Sequence, residues 1–351
     1  MDRERDGLPL TTLREIRILK SLKDMRHPNI VLLKDVVVGS KADSMFLVFE
    51  YVAHDMARLL DSMRTPFTIS EVKCLVIQLL KAVAFLHDHW IIHRDIKLSN
   101  LLLSNNGEVK LADFGLARTF GSPPKPCTPK VVTLWYRAPE LLLGNRNYTT
   151  AIDMWSVGCI LGELLVHAPL LPGKTDIQQL DMIFQLLGTP TDKIWPGFSS
   201  LPSFKSIKLP HQPYNNLKQK FPQLSQHGID LLNRLLTYDP KKRITAREAL
   251  THPFFAEKPL AKEPSMLPSF PELHENIKAT SRKRRISDEP ENCGRPDRRD
   301  LVEERFGKAF GEVFERELLQ KVTQREELPS MARTNEYGAV PYAYADKRRH
   351  R

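Results

Sequence analysis

Three short polar motifs in the middle of the chain constrain its fold more than any other feature. They are HRDIKLSN at 93–100, DFG at 113–115 and APE at 138–140. An aspartate in a loop usually caps a helix, but three such motifs in this order and at this spacing form a highly specific pattern. We therefore interpret them as parts of one constellation and not as separate helix caps.

The composition limits the partners that this chain can have. Its 52 lysines and arginines exceed its 42 aspartates and glutamates, which gives a formal net charge of +10. A basic excess can attract nucleic acid, anionic lipid or phosphorylated proteins. The basic residues cluster only once, however, at 281–285 (SRKRR), a stretch that is either a nuclear-import signal or a solvated loop. We therefore expect no direct nucleic-acid partner.

Cysteine spacing and apolar runs indicate where the protein resides. The four cysteines lie far apart without C-x-x-C spacing, so neither a zinc site nor a disulfide framework is indicated. The N-terminus is charged and lacks the apolar core of a signal peptide. No apolar run in the sequence is long enough to cross a bilayer. We expect no membrane partner and a location in the nucleus and cytoplasm.

Hydrophobic periodicity predicts the elements around the motifs. Apolar residues spaced by three predict a helix over 12–25, and two β-rich runs joined by SKAD predict a hairpin over 29–52. A second helical pattern spans 70–88, and loops and short strands follow to about residue 140, before a mainly helical region. The order is therefore a small β-containing region, a larger helical region and a polar tail.

The three motifs resemble the signature of the protein kinases. The resemblance implies an α+β, bilobal fold that uses ATP and Mg²⁺. Asp95 would accept the proton of the substrate hydroxyl, and Lys97 would neutralise the γ-phosphate. Asn100 and Asp113 would hold Mg²⁺. LVFEYVAHD at 47–55 resembles the hinge that binds the nucleotide. The implied roles there are the gatekeeper Phe49, the adenine-facing main chain of Glu50 and Val52, Asp55 near the ribose, and Leu102 as the apolar floor.

Further stretches resemble the cyclin-dependent kinases in particular. PLTTLRE at 9–15 resembles their PSTAIRE-type cyclin-binding helix, in its PITSLRE and PISSLRE variants, so a cyclin is the implied partner of this region. VVTLWYRAPELLLG at 131–144 and LLGTPTDKIWPG at 186–197 are also typical of the group. A mitogen-activated kinase would carry Thr-x-Tyr in the activation loop, whereas RTFGSPPKPCTPKVVT at 118–133 contains no tyrosine.

The resemblance also implies regulation through the activation loop. Thr128 occupies the position that a separate activating kinase would phosphorylate. The added phosphate needs cations around it, and Arg14, Arg94 and Arg118 match the arginine cluster of the family.

The same resemblance implies the substrate class. Val131, Val132 and Arg137 match the residues that shape a proline-accepting pocket. Proline lacks a backbone N–H, so a pocket without an acceptor for that group favours it over other residues. Proteins with Ser/Thr-Pro sites are the implied substrates.

On this resemblance the chain divides into three parts. Residues 1–61 would be a remnant of the small lobe with the cyclin-facing helix, the hairpin and the hinge. Residues 62–258 would form the large lobe, and 259–351 a polar, largely disordered tail. Within the tail, apolar steps near three and four predict an amphipathic helix over about 300–328. That helix would dock on the kinase's own surface or in the groove of a partner.

Two parts of the kinase pattern are missing before Glu15. That glutamate would pair with a strand lysine, yet no V-A-x-K and no G-x-G-x-x-G precedes it. The sequence is therefore expected to be N-terminally truncated, through an alternative start or splice form, an incomplete gene model or a deliberately shortened fragment. Its two remaining strands would form a marginal sheet with an exposed apolar edge.

Two functions from different classes follow from these features. The first is a cyclin-dependent Ser/Thr-Pro kinase that is inactive or impaired in this shortened form. The second is a non-catalytic protein that binds a cyclin or a substrate and transfers no phosphate. The intact motifs of the large lobe favour the first, and the missing lysine favours the second.

Overall fold

The described part of the chain, seen in a computed structural model, comprises residues 10–38, 45–120, 132–206 and 210–271. All of it falls within the first of two units, residues 1–282 and 283–351. The described helices are α1 (Leu10–Met25), α2 (Met56–Ser62), α3 (Ile69–Asp88), α4 (Pro139–Leu142), α5 (Ala151–Val166), α6 (Asp176–Leu187), α7 (Leu217–Lys220), α8 (Gln226–Leu235), α9 (Ala246–Leu250) and α10 (Pro253–Ala256). The described strands are β1 (Leu33–Val38), β2 (Met45–Phe49), β3 (His54–Asp55), β4 (Ile91–Ile92), β5 (Leu101–Leu103), β6 (Val109–Leu111) and β7 (Arg118–Thr119).

The small β-containing region consists of α1 and an antiparallel hairpin. The structure confirms the predicted helix, and it confirms the hairpin, in which β1 pairs with β2. Val37 lies opposite Phe46 on one face of this two-stranded sheet, and their side chains are 44% and 60% exposed. Apolar side chains are thus exposed on this face of the hairpin, while the predicted exposure of an apolar strand edge stays a prediction.

The loop between α1 and β1 attaches this region to the larger helical one. Val31 N–H donates to the Leu111 carbonyl at 3.0 Å, and Leu111 N–H donates to the Asn29 carbonyl at 2.9 Å. The buried Asn29 amide donates further to the Val109 carbonyl and to Gln78 Oε1 of α3. Because these bonds join the loop to both β6 and α3, they fix the position of the C-terminal end of α1 relative to the larger region.

The larger region is built around α3 and α5. Helix α3 begins at a capping box in which Thr68 and Glu71 satisfy each other's backbone N–H groups. Every residue of α5 from Ala151 to Leu164 is buried. A helix that is apolar on all sides belongs in the centre of a core, and α5 contacts α3 on one side and α8 on another.

Two small sheets place the sequence motifs. Strands β3, β5 and β6 form one sheet in that order, and β4 pairs with β7 in the other. The HRDIKLSN motif therefore lies between β4 and β5, and DFG lies between β6 and β7. Because β5 and β6 are neighbours, the ends of the two motif loops are brought together at one side of the sheet.

A buried ion pair connects two distant segments of the larger region. Both guanidinium nitrogens Nη1 and Nη2 of Arg243 contact the Glu140 carboxylate, at 2.8 and 2.9 Å, and neither side chain is accessible to solvent. The same guanidinium donates to the Ala151 carbonyl at the start of α5 and lies over the Trp155 ring. The pairing thus joins the APE motif to a segment 103 residues further along.

Of the described helices, none is long and apolar enough to cross a membrane. The helix predicted over 300–328 and the basic stretch 281–285 lie outside the described residues. The boundaries predicted at 61 and 258 stay predictions.

The buried pair yields a stability prediction. Replacing Glu140 with glutamine would leave the Arg243 charge buried without a counter-charge, which typically costs about 3–5 kcal/mol. We expect chemical denaturation to show a loss of that size for Glu140→Gln. The matched control is Asp88→Asn, which breaks the exposed pair with Arg247 at the same 2.8 Å distance and should change stability little. Equal losses in the two variants would contradict the prediction.

Candidate active site

The buried carboxylate of Asp153 organises the HRD segment. It lies in the first turn of α5 and accepts hydrogen bonds from the backbone N–H groups of His93 and Arg94, both at 2.9 Å. His87 Nε2 contacts it at 3.0 Å. Burial raises the pKa of Asp153, but the bonds to His87 and the backbone outweigh that effect and hold the pKa below its ordinary value. The anion thus holds the backbone of the loop, including the left-handed φ of +65° at Arg94.

His93 joins the two motif loops as a neutral ring. Burial lowers its pKa, so the ring carries one proton at neutral pH. With that proton on Nε2, it donates to the Ala112 carbonyl at 3.2 Å, and Nδ1 accepts from the Asp95 backbone N–H at 3.3 Å. The ring also meets Phe114 edge to face. His93 therefore fixes the distance between the HRD and DFG segments.

Asp95 presents an ionised carboxylate held by three neighbours. Oδ2 lies 2.7 Å from Lys97 Nζ, and Oδ1 accepts the Thr133 hydroxyl at 3.0 Å. The Asn100 amide donates to the Asp95 carbonyl at 2.9 Å and to Oδ2 at 3.2 Å. Burial raises the pKa of Asp95, but Lys97 and Thr133 outweigh it and keep the pKa below its ordinary value. The group can accept a hydrogen bond from a hydroxyl brought to it.

Asn100 and Asp113 together offer oxygen ligands to a cation. Asp113 has a left-handed φ of +63°, and its Oδ2 lies 3.5 Å from Asn100 Nδ2. Since that amide nitrogen is also bound to Asp95, the side-chain oxygen Oδ1 of Asn100 remains for a cation. Within the described part of the chain, no group of three His, Cys, Asp or Glu side chains could hold a metal. Two protein ligands completed by phosphate oxygens and water are what Mg²⁺ commonly uses, so these residues fit that ion.

Glu15 reaches the same place from α1. A β-carbon at Gly115 would lie 3.3 Å from Asp113 Oδ1 and 3.7 Å from Glu15 Oε2, so both carboxylates face the small residue of the DFG motif. Burial and the nearby Asp113 charge raise the pKa of Glu15. Among the described residues, no lysine or arginine forms an ion pair with it. Glu15 therefore lies near Asp113, one of the two residues predicted to hold Mg²⁺, with a carboxylate as its charged neighbour.

The residues predicted to contact the nucleotide lie along the edge between the two regions. Phe49 ends β2, and the Glu50 N–H donates to the Leu32 carbonyl at 2.9 Å. The Glu50 carboxylate is turned away, towards Leu32 N–H and Lys110. Val52, half-buried, follows in the loop before β3.

Asp55 and Leu102 lie opposite each other in the sheet formed by β3 and β5. Asp55 also caps α2, because its Oδ1 accepts the N–H groups of Ala57 and Arg58. Its Oδ2 is left for a ligand. The structure thus places the predicted ribose and floor residues side by side.

The predicted phosphate-binding cluster is described only in part. Arg94 Nε donates to the Leu116 carbonyl at 2.7 Å and Nη1 to the Tyr148 hydroxyl at 2.8 Å. Arg118 begins β7, next to β4. Thr128 lies outside the described residues, as does the Arg14 side chain. The cluster therefore stays a prediction.

Arg137 binds a backbone acceptor, the carbonyl of Val132. Its Nε and Nη2 donate to the Val132 carbonyl at 3.2 and 2.8 Å, and Nη1 contacts Asp176 at 2.8 Å. Val132 has a left-handed φ of +68°, which is rare for a β-branched residue. Val131 lies outside the described residues. The Val132 carbonyl is consequently already bound within the protein.

Sequence reasoning missed Asp153, Thr133 and His87. Asp153 carried one signal, since an acidic residue in an apolar helix needs a buried partner. Thr133 and His87 carried none, because their partners lie 38 and 66 residues away in the chain.

Comparisons with known proteins agree with this geometry. The protein kinase domain family matches residues 2–255. Cyclin-dependent kinase 10 of Homo sapiens is 58% identical over 279 residues, which are 80% of this chain and 76% of that protein. Cyclin-dependent kinase G-2 of Oryza sativa subsp. japonica is 56% identical over 80% of this chain and 40% of its own length. The crystal structure of the yeast RNA Pol II CTD kinase CTDK-1 complex matches with a TM-score of 0.70 and 40% identity, over 75% of this chain and 86% of that one.

The Asp153 site yields a prediction with a pH dependence. Asp153→Asn removes the anion that three donors share, and we expect it to lower the free energy of unfolding by roughly 3 kcal/mol at neutral pH. The lowered pKa of Asp153 means that this stabilisation is complete above the ordinary aspartate pKa of about 4 and is lost as the pH falls through the folded-state value.

Denaturation curves from neutral pH down to about pH 3 would test this, with the exposed Asp181→Asn on α6 as the control. The gap between Asp153→Asn and the parent should narrow as the pH falls. A gap that stays constant or widens would contradict the prediction.

Proposed function

The chain belongs to the protein kinase family, among the cyclin-dependent kinases, and from this premise we propose that it transfers the γ-phosphate of ATP to serine or threonine residues that precede a proline. The observation that carries the Ser/Thr-Pro specificity is the bond between Arg137 and the Val132 carbonyl. The residues that carry the transfer are Asp95, Lys97, Asn100 and Asp113.

The proposed chemistry follows from the polar contacts at Asp95. The substrate hydroxyl would donate to the Asp95 carboxylate, and its oxygen would bond to the γ-phosphorus as the bond to the β–γ bridging oxygen breaks, so that ADP leaves. Lys97, 2.7 Å from Asp95, is placed to neutralise charge on the transferred group. Asn100 and Asp113 would hold Mg²⁺, which neutralises phosphate charge when bound. The hydroxyl proton passes to Asp95.

The proposed preference for proline depends on a substrate backbone N–H that would find no acceptor. A residue that follows the phosphorylated serine would offer its N–H to the Val132 carbonyl, but Arg137 already occupies that acceptor. An unsatisfied buried N–H costs roughly 1–3 kcal/mol, whereas proline has no N–H to satisfy.

Regulation by a cyclin and by phosphorylation is proposed because the chain belongs to the cyclin-dependent kinases. A cyclin would bind the region 9–15, which includes the first residues of α1 and carries Glu15 towards the site. A separate kinase would phosphorylate Thr128, and the phosphate would bind Arg14, Arg94 and Arg118. Roles in the cell cycle or in transcription, and a location in the nucleus and cytoplasm, belong to this proposal.

A second function is favoured by the surroundings of Glu15. The charge beside it is that of Asp113, where a kinase of this type needs a lysine bound to both the glutamate and the phosphates. With Glu15 in these surroundings, the protein would transfer phosphate slowly, and its main role would be to bind a cyclin or a substrate.

The first test is a phosphorylation assay with matched peptides. We expect a Ser-Pro peptide to be phosphorylated with a kcat/KM about tenfold or more above that of the same peptide with Ser-Ala, since about 1.4 kcal/mol corresponds to tenfold. Asp95→Asn is the control for a contaminating kinase. Equal rates for the two peptides would contradict the specificity. Rates no higher than those of Asp95→Asn, combined with binding of the Ser-Pro peptide, would favour the non-catalytic function.

The second test separates the roles of the two aspartates. Asp95→Asn should reduce transfer by about 10²-fold or more, a usual effect of losing a general base, with little change in binding of Mg²⁺-ATP. Asp113→Asn should weaken Mg²⁺-ATP binding itself. Because both variants remove one carboxylate charge, each serves as the control for the other in calorimetric titrations. The assignment is wrong if both bind Mg²⁺-ATP as the parent does.

A further inference from the structure

We propose that residues 257–271, here called the strap, hold the hinge-side edge of the nucleotide site in position, with Phe270 as the positioning residue. The match to the protein kinase domain family ends at residue 255, directly before this segment. The inference about nucleotide binding rests on the proposed function. The packing contacts of the strap are independent of that function.

A fully buried lysine anchors the first part of the strap. Lys73 on α3 is inaccessible to solvent, and its ammonium group donates to the carbonyls of Glu257 and Pro259 at 2.9 and 2.8 Å. It also lies 4.5 Å from the centre of the Phe254 ring, and 4.0 Å from the Glu257 carboxylate. A buried charge is tolerated only where such partners surround it, so the strap completes the site that Lys73 requires.

The middle of the strap follows α3 and the turn between β5 and β6. Lys262 N–H donates to the Ser70 carbonyl at 3.1 Å, and its ammonium group lies 2.9 Å from Glu71. At Gly107, which has a φ of +77°, a β-carbon would lie 1.8 Å from the Pro264 carbonyl oxygen. A residue with a side chain cannot occupy that position while the strap is in place, so glycine permits the close approach.

The end of the strap packs on the residue that precedes Asp55. The Phe270 ring meets the rings of His54 and Phe67 edge to face, at 6.0 and 6.2 Å between centroids. His54 is buried, and its Nε2 lies 2.9 Å from the Asn105 side-chain oxygen. Phe270 and Asn105 therefore hold the imidazole from two sides.

This packing matters because β3 itself is very short. The strand has only two residues, His54 and Asp55, paired with Leu103 and Leu102. So few backbone bonds fix a strand weakly. The Asp55 carboxylate is held by the N–H groups of Ala57 and Arg58, but the position of the β3 backbone depends also on how the adjacent His54 side chain is packed. Since Asp55 and Leu102 are the predicted ribose and floor residues, loss of Phe270 would loosen the site where they face the nucleotide.

Phe270→Ala tests the proposal, with Met266→Ala as the matched control because Met266 lies on the same strap and is 68% exposed. By hydrogen exchange, amides 53–60 should exchange about tenfold or more faster in Phe270→Ala than in the parent and in Met266→Ala, which corresponds to about 1.4 kcal/mol. Binding of Mg²⁺-ATP should weaken in the same variant, while the KM for the peptide stays unchanged. Unchanged exchange over 53–60 in Phe270→Ala would overturn the proposal.

Lys73→Met provides a second variant for the case in which Phe270→Ala does not fold. Methionine keeps the apolar stem and removes the ammonium group, so the strap should become sensitive to limited proteolysis and amides 53–60 should again exchange faster. A released strap with 53–60 still protected would overturn the proposal. Because exchange needs no phosphate transfer, an inactive parent protein would count against the proposed function and leave this test intact.

Discussion

The carboxylate of Asp153 is the interaction on which the candidate active site depends. Its two bonds to the backbone of His93 and Arg94 fix the conformation in which Asp95 faces Lys97, Thr133 and Asn100. Because α5 is buried along almost its whole length, the anion is held by a helix of the core. The loop residue Asp95 is thereby positioned by the core and not by the loop alone.

The carboxylates around the site differ in their surroundings, and so in the roles that they can fill. Asp95 has a cation and two hydrogen-bond donors around it, which hold its pKa below the ordinary value. Glu15 has burial and the charge of Asp113, which raise its pKa. The first is an anion that can accept a hydrogen bond from a hydroxyl. The second is a partly buried carboxylate beside another carboxylate, and the proposed active and non-catalytic functions differ in whether a cation binds there.

Buried charges in this protein lie where distant parts of the chain meet. Arg243 binds Glu140 across 103 residues, Asp153 binds His93 across 60, and Lys73 binds Pro259 across 186. Each charge is costly to bury alone and is stable only with its partner in place. These contacts therefore favour one arrangement of the segments over others of similar hydrophobic content, and the strap belongs to that arrangement.

Local sequence patterns were enough to predict the main elements and to select the candidate site residues. Periodicity predicted α1, the hairpin and α3, because backbone geometry repeats every 3.6 or 2 residues, and the motifs named Asp95, Asn100 and Asp113 through their order. Only the tertiary structure decided that Thr133 and Asp153 hold Asp95 in place, that Glu15 lies beside Asp113, and that Phe270 packs on His54. The physical reason is that these contacts join segments far apart in the chain. A local pattern of residues does not specify which distant side chain will pack against it.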